Sequence, residues 1–305
     1  MRILVTGGAG FIGSHIVDGL VSRGDTVLVV DDLSTGKRSN LSIDVELVEM
    51  DIGSPEMFDV AREFGPEAIT HLAAQASVAV SMAKPAFDAR ANILGGINLC
   101  EVAIAAGCSQ FVYINTGGAL YGIPEYLPCD EDHPIRPTSA YGLSKWTLEC
   151  YLRLLLPESI PLKVLRLANV YGPRQDPHGE AGVVSIFGAR MVRGDRAVIF
   201  GDGKQTRDFI YVGDVVRAHN LALHVSDSLT VNVSTGVPLT IDDLFQMMAD
   251  ETEYHQPPLY QDERTGDLKH SVLANSRAQK LLDWRPETSL RDGIHRTLDW
   301  VRTGE

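Results

Sequence analysis

Apolar residues follow two rhythms along the first 170 positions. Short unbroken runs, Ile3 to Val5, Thr26 to Val30, Val45 to Glu49, Ala68 to His71, Phe111 to Ile114 and Leu162 to Leu167, alternate with longer stretches of helical period. A strand that is apolar at every position, and not only at alternate ones, is covered on both faces. The pattern predicts an α/β fold built on a Rossmann-type, doubly wound parallel sheet, and such sheets collect ligands at the carboxyl ends of their strands. After Asn169 the texture changes: the segment YGPRQDPHGEAG is rich in Pro, Gly and charge, and later apolar runs are shorter and broken by turns such as Gly201-Asp202-Gly203. Helical period returns at Gly213 to Ser226, Ile241 to Glu251, Asn275 to Leu282 and Leu290 to Val301, with Thr240 and Asn275 as candidate N-caps. This part reads as a smaller α/β carboxyl-terminal lid.

Composition narrows the function classes. The 305 residues are 44% hydrophobic and 22% charged, which excludes disorder and coiled coil. Against 40 Asp and Glu stand 27 Lys and Arg, a formal charge of −13 that repels nucleic acid and anionic lipid at long range. Neither is expected as a partner. No run approaches the roughly 18 apolar residues of a membrane span, and the opening MRILVTGGAG lacks the apolar segment of a signal peptide. The expected location is cytoplasmic. Cys100, Cys108, Cys129 and Cys150 show no paired short spacing, and the nine histidines form no ligand pattern, so no metal is expected. His71, at a strand end, reads as a packed, hydrogen-bonded histidine.

Candidate chemistry begins at Gly7, Gly10 and Gly13, a G-x-x-G-x-x-G immediately after the first strand and before the helical period of Phe11 to Val21. Glycines there permit a tight turn and close backbone approach, and the helix N-terminus offers unpaired N–H groups to a pyrophosphate. The second strand ends at Asp31, about 20 residues further on, where a carboxylate can accept from both ribose hydroxyls and disfavours a 2′-phosphate. NAD is the expected cofactor, although Lys37 and Arg38 lie close enough in sequence to keep NADP open. Asp51 and Ile52 follow the third strand at the edge where adenine would lie.

Tyr141 and Lys145 stand four residues apart in SAYGLSKWTLECYLRLLL, on one face of a helix. A phenol with a pKa near 10 is a poor base at neutral pH, but an ammonium one turn away stabilises its phenolate. Tyr141 is the candidate base and Lys145 its tuner.

With TGGAGFIG (6–13), DDLSTG (31–36), HLAAQASV (71–78), TGGALYG (116–122), YGLSK (141–145), NVYGPRQDPHGEAGV (169–183), TRDFIYVGDV (206–215) and RTGDL (264–268) in this order, the chain resembles the extended short-chain dehydrogenase/reductases. Within them it is most similar to the NAD-dependent nucleotide-sugar epimerases of the UDP-glucose 4-epimerase type. The resemblance covers essentially the whole chain and is less specific for the sugar than for the family. It implies that residues 1–170, with contributions from about 205–235, form the NAD-binding domain, and residues 171–305 the nucleotide-sugar subdomain. It implies an NAD site lined by Gly7, Gly10, Phe11, Ile12, Gly13, Asp31, Asp32, Ser34, Thr35, Gly36, Asp51, Ile52, Leu72, Ala73, Ala74, Gln75, Asn92, Tyr141 and Lys145. For the UDP-sugar it implies Thr116, Tyr141, Asn169, Val184, Phe200, Arg207 and Arg264, with Arg174 as a weaker third arginine. Two guanidiniums suit a diphosphate, and Phe200 offers a ring face to uracil. The implied reaction is C4 epimerisation of a UDP-hexose through a 4-keto sugar. The implied assembly is a homodimer joined through helices near 85–106 and 140–156, where Leu148, Tyr151, Leu152 and Leu155 are apolar.

The chain departs from the family at one place. Most members carry Ser or Thr five residues before the Gly of the YG pair; here that residue is Gly117, beside Thr116. Successive strand residues point to opposite faces, so Thr116 replaces the lost hydroxyl only if the backbone turns there. The dehydratase relatives carry an Asp-Glu pair where this chain has Gly118 and Ala119, which speaks against elimination of water. UDP-N-acetylglucosamine or UDP-glucuronate as epimerisation substrate, or UDP-glucuronate decarboxylation, stays open, and a basic residue facing the sugar C6, with Arg90 and Arg174 as candidates, would discriminate. A non-catalytic NAD-binding regulator is the alternative from another class, and the presence of both Tyr141 and Lys145 argues against it.

Overall fold

In the computed structural model, which describes residues 1–178, 182–263 and 268–304, the six apolar runs are strands. They are β1 (Arg2–Thr6), β2 (Thr26–Asp31), β3 (Glu46–Glu49), β4 (Ala68–His71), β5 (Gln110–Thr116) and β6 (Leu162–Leu167). Three run further at their carboxyl ends than the apolar pattern: Thr6 stays in register with Val30, Asp31 with Glu49, and Thr116 with Leu167. A polar side chain at a strand's carboxyl end meets the crevice while its main chain remains in the ladder. The helices among these strands are α1 (Phe11–Ser22), α2 (Met57–Phe64), α3 (Val78–Ala83), α4 (Pro85–Ala89), α5 (Gly95–Ala105) and α6 (Ala140–Leu155). A π-helical turn, Arg90–Leu94, joins α4 to α5, which the helical period of 85–106 does not reveal.

Beyond β6 come β7 (Asn169–Tyr171), α7 (Val183–Arg193), β8 (Val198–Phe200), β9 (Thr206–Arg207), β10 (Phe209–Tyr211) and α8 (Val212–Ala222). The chain then returns to the sheet as β11 (Leu229–Val233), completing seven strands in the order β11-β6-β5-β4-β1-β2-β3, all pairs parallel. β12 (Leu239–Thr240), α9 (Ile241–Thr252), β13 (Leu259–Gln261), β14 (His270–Ser271), α10 (Ser276–Leu282) and α11 (Leu290–Thr303) follow. The strand order reverses between β1 and β4, which opens a crevice at their carboxyl ends. There the Thr6 carbonyl accepts from both Leu72 N (3.0 Å) and Ala73 N (3.1 Å).

Strands β1 to β6 each feed two cores, which is why their runs carry apolar residues for both faces, whereas β11 gives Leu229, Val231 and Val233 to the first core alone. Ile3, Val5, Val112 and Leu165 meet Ile16, Leu20, Val215, Ala218 and Trp284 on one face. Leu4, Ile69, Phe111 and Tyr113 meet Met57, Leu99, Leu148 and Leu152 on the other. A third core, with Phe187, Ile199, Leu244, Met248 and Leu298, belongs to the lid. Two aspartates of TRDFIYVGDV fasten the lid. Asp208 accepts from Thr235 N (2.9 Å), Thr235 Oγ1 (2.6 Å), Gly236 N (3.0 Å) and Leu273 N (3.3 Å). Asp214 accepts from Glu287 N and Thr288 N. Thr240 caps α9 by accepting from Asp243 N (3.0 Å). The expected cap at Asn275 is not made: its amide donates to Ser234 O (2.8 Å) and accepts from Gln279, so it braces the chain instead.

Candidate active site

The glycine turn after β1 has the shape the sequence demanded. Gly7 has φ +70°, and a Cβ there would lie 2.5 Å from Ala73 N; a Cβ at Gly13 would collide with the Gly7 carbonyl. Gly10 is the N-cap of α1, and no side chain caps that helix, so its first N–H groups and positive end are left to a ligand anion. Phe11 and Ile12 open the helix, half-buried. Asp31, buried, accepts from Ala9 N (2.9 Å) and Leu33 N (2.9 Å). Burial raises its carboxyl above the usual range, while those two N–H groups oppose the rise. A Cβ at Gly36 would come within 2.8 Å of its Oδ1. Asp32 accepts from Ser34 N and Ser34 Oγ, and Ser34 and Thr35 are exposed on the rim. Lys37 turns to Asp176 (3.3 Å) and Arg38 to the Ile43 carbonyl (3.0 Å), so both cations that kept NADP open are engaged elsewhere.

Asp51 is exposed after β3 and accepts from Gly53 N, while Ile52 is buried beside it. Leu72, Ala73, Ala74 and Gln75 leave the end of β4, half-buried. The buried Asn92 clasps Gln75 by two main-chain bonds, Nδ2 to Gln75 O (2.9 Å) and Gln75 N to Oδ1 (2.8 Å). The π-helical turn is what places this amide there. His71 is packed as expected, its Nδ1 2.8 Å from Thr6 Oγ1 and its ring stacked on Tyr113. Among the described residues, no group of three His, Cys, Asp or Glu is placed to hold a metal ion.

Tyr141 and Lys145 lie in the first turns of α6, whose N-cap Ser139 accepts from Gly142 N (3.1 Å). Their electrostatics differ from the expectation. The Lys145 ammonium donates to Ile114 O (3.0 Å) and sits 4.5 Å from the centre of the Tyr113 ring. Burial brings it down to about 7, against the pull of Asp88 and Glu149. Burial and Asp88 push the Tyr141 phenol up to about 12, with only a hydrogen bond to Thr116 acting the other way. The protein's own groups therefore do not draw the phenol toward neutrality. Thr116 answers the missing hydroxyl: Thr116, the last residue of β5, lies beside Tyr141 and favours its ionised form, and Ala119 N donates to its Oγ1 (3.3 Å). Gly117 faces the other way, where a Cβ would collide with Leu273 and lie 3.3 Å from Leu167 O. Glu149, at the back of α6, forms a fully buried bidentate pair with Arg166 (2.7 and 3.2 Å) and accepts from Asn115 (2.7 Å). Neither Asp88 nor this pair stands out in the sequence, because their partners are remote in the chain.

Across the crevice a cleft of about 440 Å³ opens in the lid. Asn169, Phe200 and Arg207 line it as expected, together with His178, Val183, Arg190, Arg193 and Gln205, which sequence reasoning missed. Arg190 and Arg193 are one turn apart on α7, a spacing that could have signalled them. Val184 is a correction: it is 1% exposed in the lid core, and its neighbour Val183 lines the cleft. Successive residues of a helix point roughly 100° apart, which makes the one-residue difference decisive. Arg174 pairs with Asp18 of α1 (2.7 Å) and is not on the cleft, and Arg90 is exposed on the π-helical turn. Arg264 lies outside the described residues.

A model of the NAD dependent epimerase/dehydratase family matches residues 3–234. The chain belongs to this family. It is similar, at 42% identity over 315 residues and 99% of each sequence, to a UDP-glucose 4-epimerase of Mycolicibacterium smegmatis. The crystal structure of a UDP-glucose 4-epimerase from Thermotoga maritima with UDP-glucose matches with TM-score 0.98 and 45% identity, over 100% of this chain and 99% of that one. A UDP-glucose 4-epimerase of Thermus thermophilus, in complex with NAD, matches with TM-score 0.93 and 42% identity over 100% of each. Of the two reactions in the family's description, this epimerase/dehydratase family member has groups for one. After Thr116 come Gly117, Gly118 and Ala119, none able to carry a proton, so a second acid and base for eliminating water are missing there.

Proposed function

We propose that the chain epimerises C4 of a UDP-hexose, interconverting UDP-glucose and UDP-galactose, with NAD held at the β1–β4 crevice. The observation that carries this reading is the placement of Tyr141 at the start of α6, beside Thr116 at the end of β5 and one turn before Lys145, whose ammonium donates to Ile114 O of the same strand (3.0 Å). The substrates named for the similar proteins point the same way. The glycine turn fits a dinucleotide, since glycine at 7 and 13 lets the turn pack main chain against main chain and leaves the first N–H groups of α1 uncapped for an anion. Gly7, Gly10 and Gly13 take the pyrophosphate, Asp31 the adenosine ribose, and Lys145 the nicotinamide ribose.

When bound, NAD would supply a hydride acceptor and donor for the sugar C4 and, oxidised, a positive charge that favours the phenolate. Tyr141 takes the 4-hydroxyl proton and returns it, and Thr116 orients that hydroxyl in place of the residue lost at 117. Arg207 and Arg264 hold the diphosphate, Arg190 and Arg193 add positive charge around it, and Phe200 covers the uracil. Gripping the nucleotide and leaving the hexose loosely held lets the 4-keto sugar turn its other face before reduction. The body comprises residues 1–170 with about 205–235, and the lid residues 171–305.

The same reading includes a cytoplasmic homodimer. Leu148 and Leu152 are spent on the sheet, but Phe87, Leu94, Leu143, Tyr151 and Leu154 are exposed apolar residues on α4, the π-helical turn and α6, the elements such a helix pairing would use. The test is to incubate purified protein with UDP-glucose, UDP-N-acetylglucosamine or UDP-glucuronate, adding no NAD, and to follow C4 by NMR. Conversion of UDP-glucose to UDP-galactose is expected. No conversion of any of them, by protein that releases NAD on denaturation, contradicts the assignment.

A further inference from the structure

Between the cofactor loop and the catalytic helix lies a carboxylate that the reaction as described leaves unused. Asp88, on the short helix α4, is fully buried. Its Oδ1 accepts from Gln75 Nε2 (2.8 Å) and Asn92 Nδ2 (3.0 Å), and its Oδ2 accepts from Ser144 Oγ (2.5 Å). The three partners come from three elements that bear on the site: the loop leaving β4, the π-helical turn, and α6 between Tyr141 and Lys145. All three are uncharged.

An amide would serve these hydrogen bonds as well as a carboxylate. Its oxygen would accept from Gln75 and Asn92, and its nitrogen would donate to the Ser144 hydroxyl. Burying a charge without a direct ion partner is costly, so the hydrogen-bond pattern does not account for the acid. What an amide would lack is negative charge beside Tyr141 and Lys145. We infer that Asp88 is a positioning residue of the reaction: its carboxylate clamps α6 to the cofactor loop and supplies the fixed negative charge facing the Tyr141–Lys145 pair. The inference rests on the reading of Tyr141 as the base.

That charge acts on both members in one direction. It favours the Lys145 ammonium, which burial brings down to about 7, and it opposes the Tyr141 phenolate, already pushed up to about 12. The other ionisable groups around the pair are His71 from β4, Tyr113 from β5 and Glu149 from α6. Glu149 is itself held by Arg166 of β6 and Arg153. Helix α3 carries no ionisable side chain, and Arg90 of the π-helical turn and Glu101 of α5 are exposed. Asp88 is thus the carboxylate of this set that has no arginine to neutralise it.

The test uses the NAD-loaded protein and two variants, Asp88→Asn and Ser144→Ala. One readout is the pH dependence of kcat with UDP-glucose. The other is the titration of Lys145 by NMR of ¹³Cε-labelled lysine, assigned with Lys145→Met. In Asp88→Asn both limbs of the kcat profile and the Lys145 midpoint should move to lower pH by about one unit. Ser144→Ala keeps the charge and loses part of the clamp, so kcat should fall several-fold with limbs and midpoint unmoved. An Asp88→Asn protein that is slower at every pH, with limbs and midpoint in place, overturns the inference, as does a Ser144→Ala protein that moves them. If Asp88→Asn does not fold, Asp88→Glu replaces it: the charge stays, so the limbs must stay, and a shift overturns the inference. Tyr141→Phe is measured alongside. If it keeps turning over, the base assignment falls; if it is inactive while Asp88→Asn leaves limbs and midpoint in place, only the role of Asp88 falls.

Discussion

The two walls of the site are made of different materials. The wall at the β1–β4 crevice is largely main chain: a glycine turn, the open end of α1, and the loop after β4 that the Asn92 amide clasps at Gln75. The lid wall is side chains, Asn169, Phe200, Arg207, Arg190 and Arg193, carried by short strands and by one face of α7. A main-chain wall admits no added atoms and fails sterically. A side-chain wall fails by degrees, one charge at a time. Tyr141 and Thr116 stand where the two meet, so each substitution reports on one wall or on the seam.

The seam should give the largest effect. Tyr141→Phe removes the proton acceptor and should lower kcat by roughly 10²–10⁴-fold, with NAD content after purification unchanged; loss of NAD would mean that the seam belongs to the cofactor wall. Gly7→Ala attacks that wall through a φ of +70° and a Cβ against Ala73 N. It should cost roughly 2–4 kcal/mol in denaturant unfolding and strip NAD from the protein. Arg207→Ala should do neither and weaken UDP binding by calorimetry by roughly 10–100-fold, the worth of about 1.5–3 kcal/mol for a hydrogen bond to a charged group. If Arg207→Ala loses NAD, the walls are not independent.

Acid should separate them further. His71 of β4 and His219 of α8 are buried and held neutral, down to about 3 and about 4 from an unfolded value of 6.5. Unfolded chain binds those protons below pH 6.5 and folded chain refuses them. The stability they contribute is therefore complete above pH 6.5 and is lost as pH falls toward 4, by up to about 1.4 kcal/mol per pH unit for each. Hydrogen exchange at pH 4.5 against pH 7 should show β1, β4 and α8 losing more protection than α7 and α9. Uniform loss would remove this difference. The smallest effect is expected at the N-cap of α6: Ser139→Ala should cost about 1 kcal/mol and leave both ligands bound.

The difference in materials also explains what could be read from the chain. Parallel strands that follow one another place Gly7, Asp31, Asp51 and Leu72 on one edge, so their spacing predicts the NAD wall directly. The lid cleft depends on long-range contacts, such as β9 between β12 and β14, and on which side of α7 each residue faces. That is why the sequence points to Val184 where Val183 lines the cleft, and does not single out Arg190 and Arg193. The Tyr141–Lys145 spacing marked the pair but not its electrostatics, because Asp88 lies 53 residues before Tyr141 in the chain (141 − 88) and is brought to it by a π-helical turn with no apolar signature. The glycine at 117 reads as a lost hydroxyl, but it follows the end of β5, where a Cβ would have to displace the tip of Leu273 and crowd Leu167 O (3.3 Å), while Thr116 lies beside Tyr141.

The central claim, that hydrogen leaves sugar C4 as hydride to held NAD and returns inside the site, is tested most directly with UDP-[4-²H]glucose in ordinary water. The account predicts UDP-galactose with the deuterium still at C4, formed without added NAD and abolished in Tyr141→Phe. UDP-galactose carrying solvent hydrogen at C4 would contradict it.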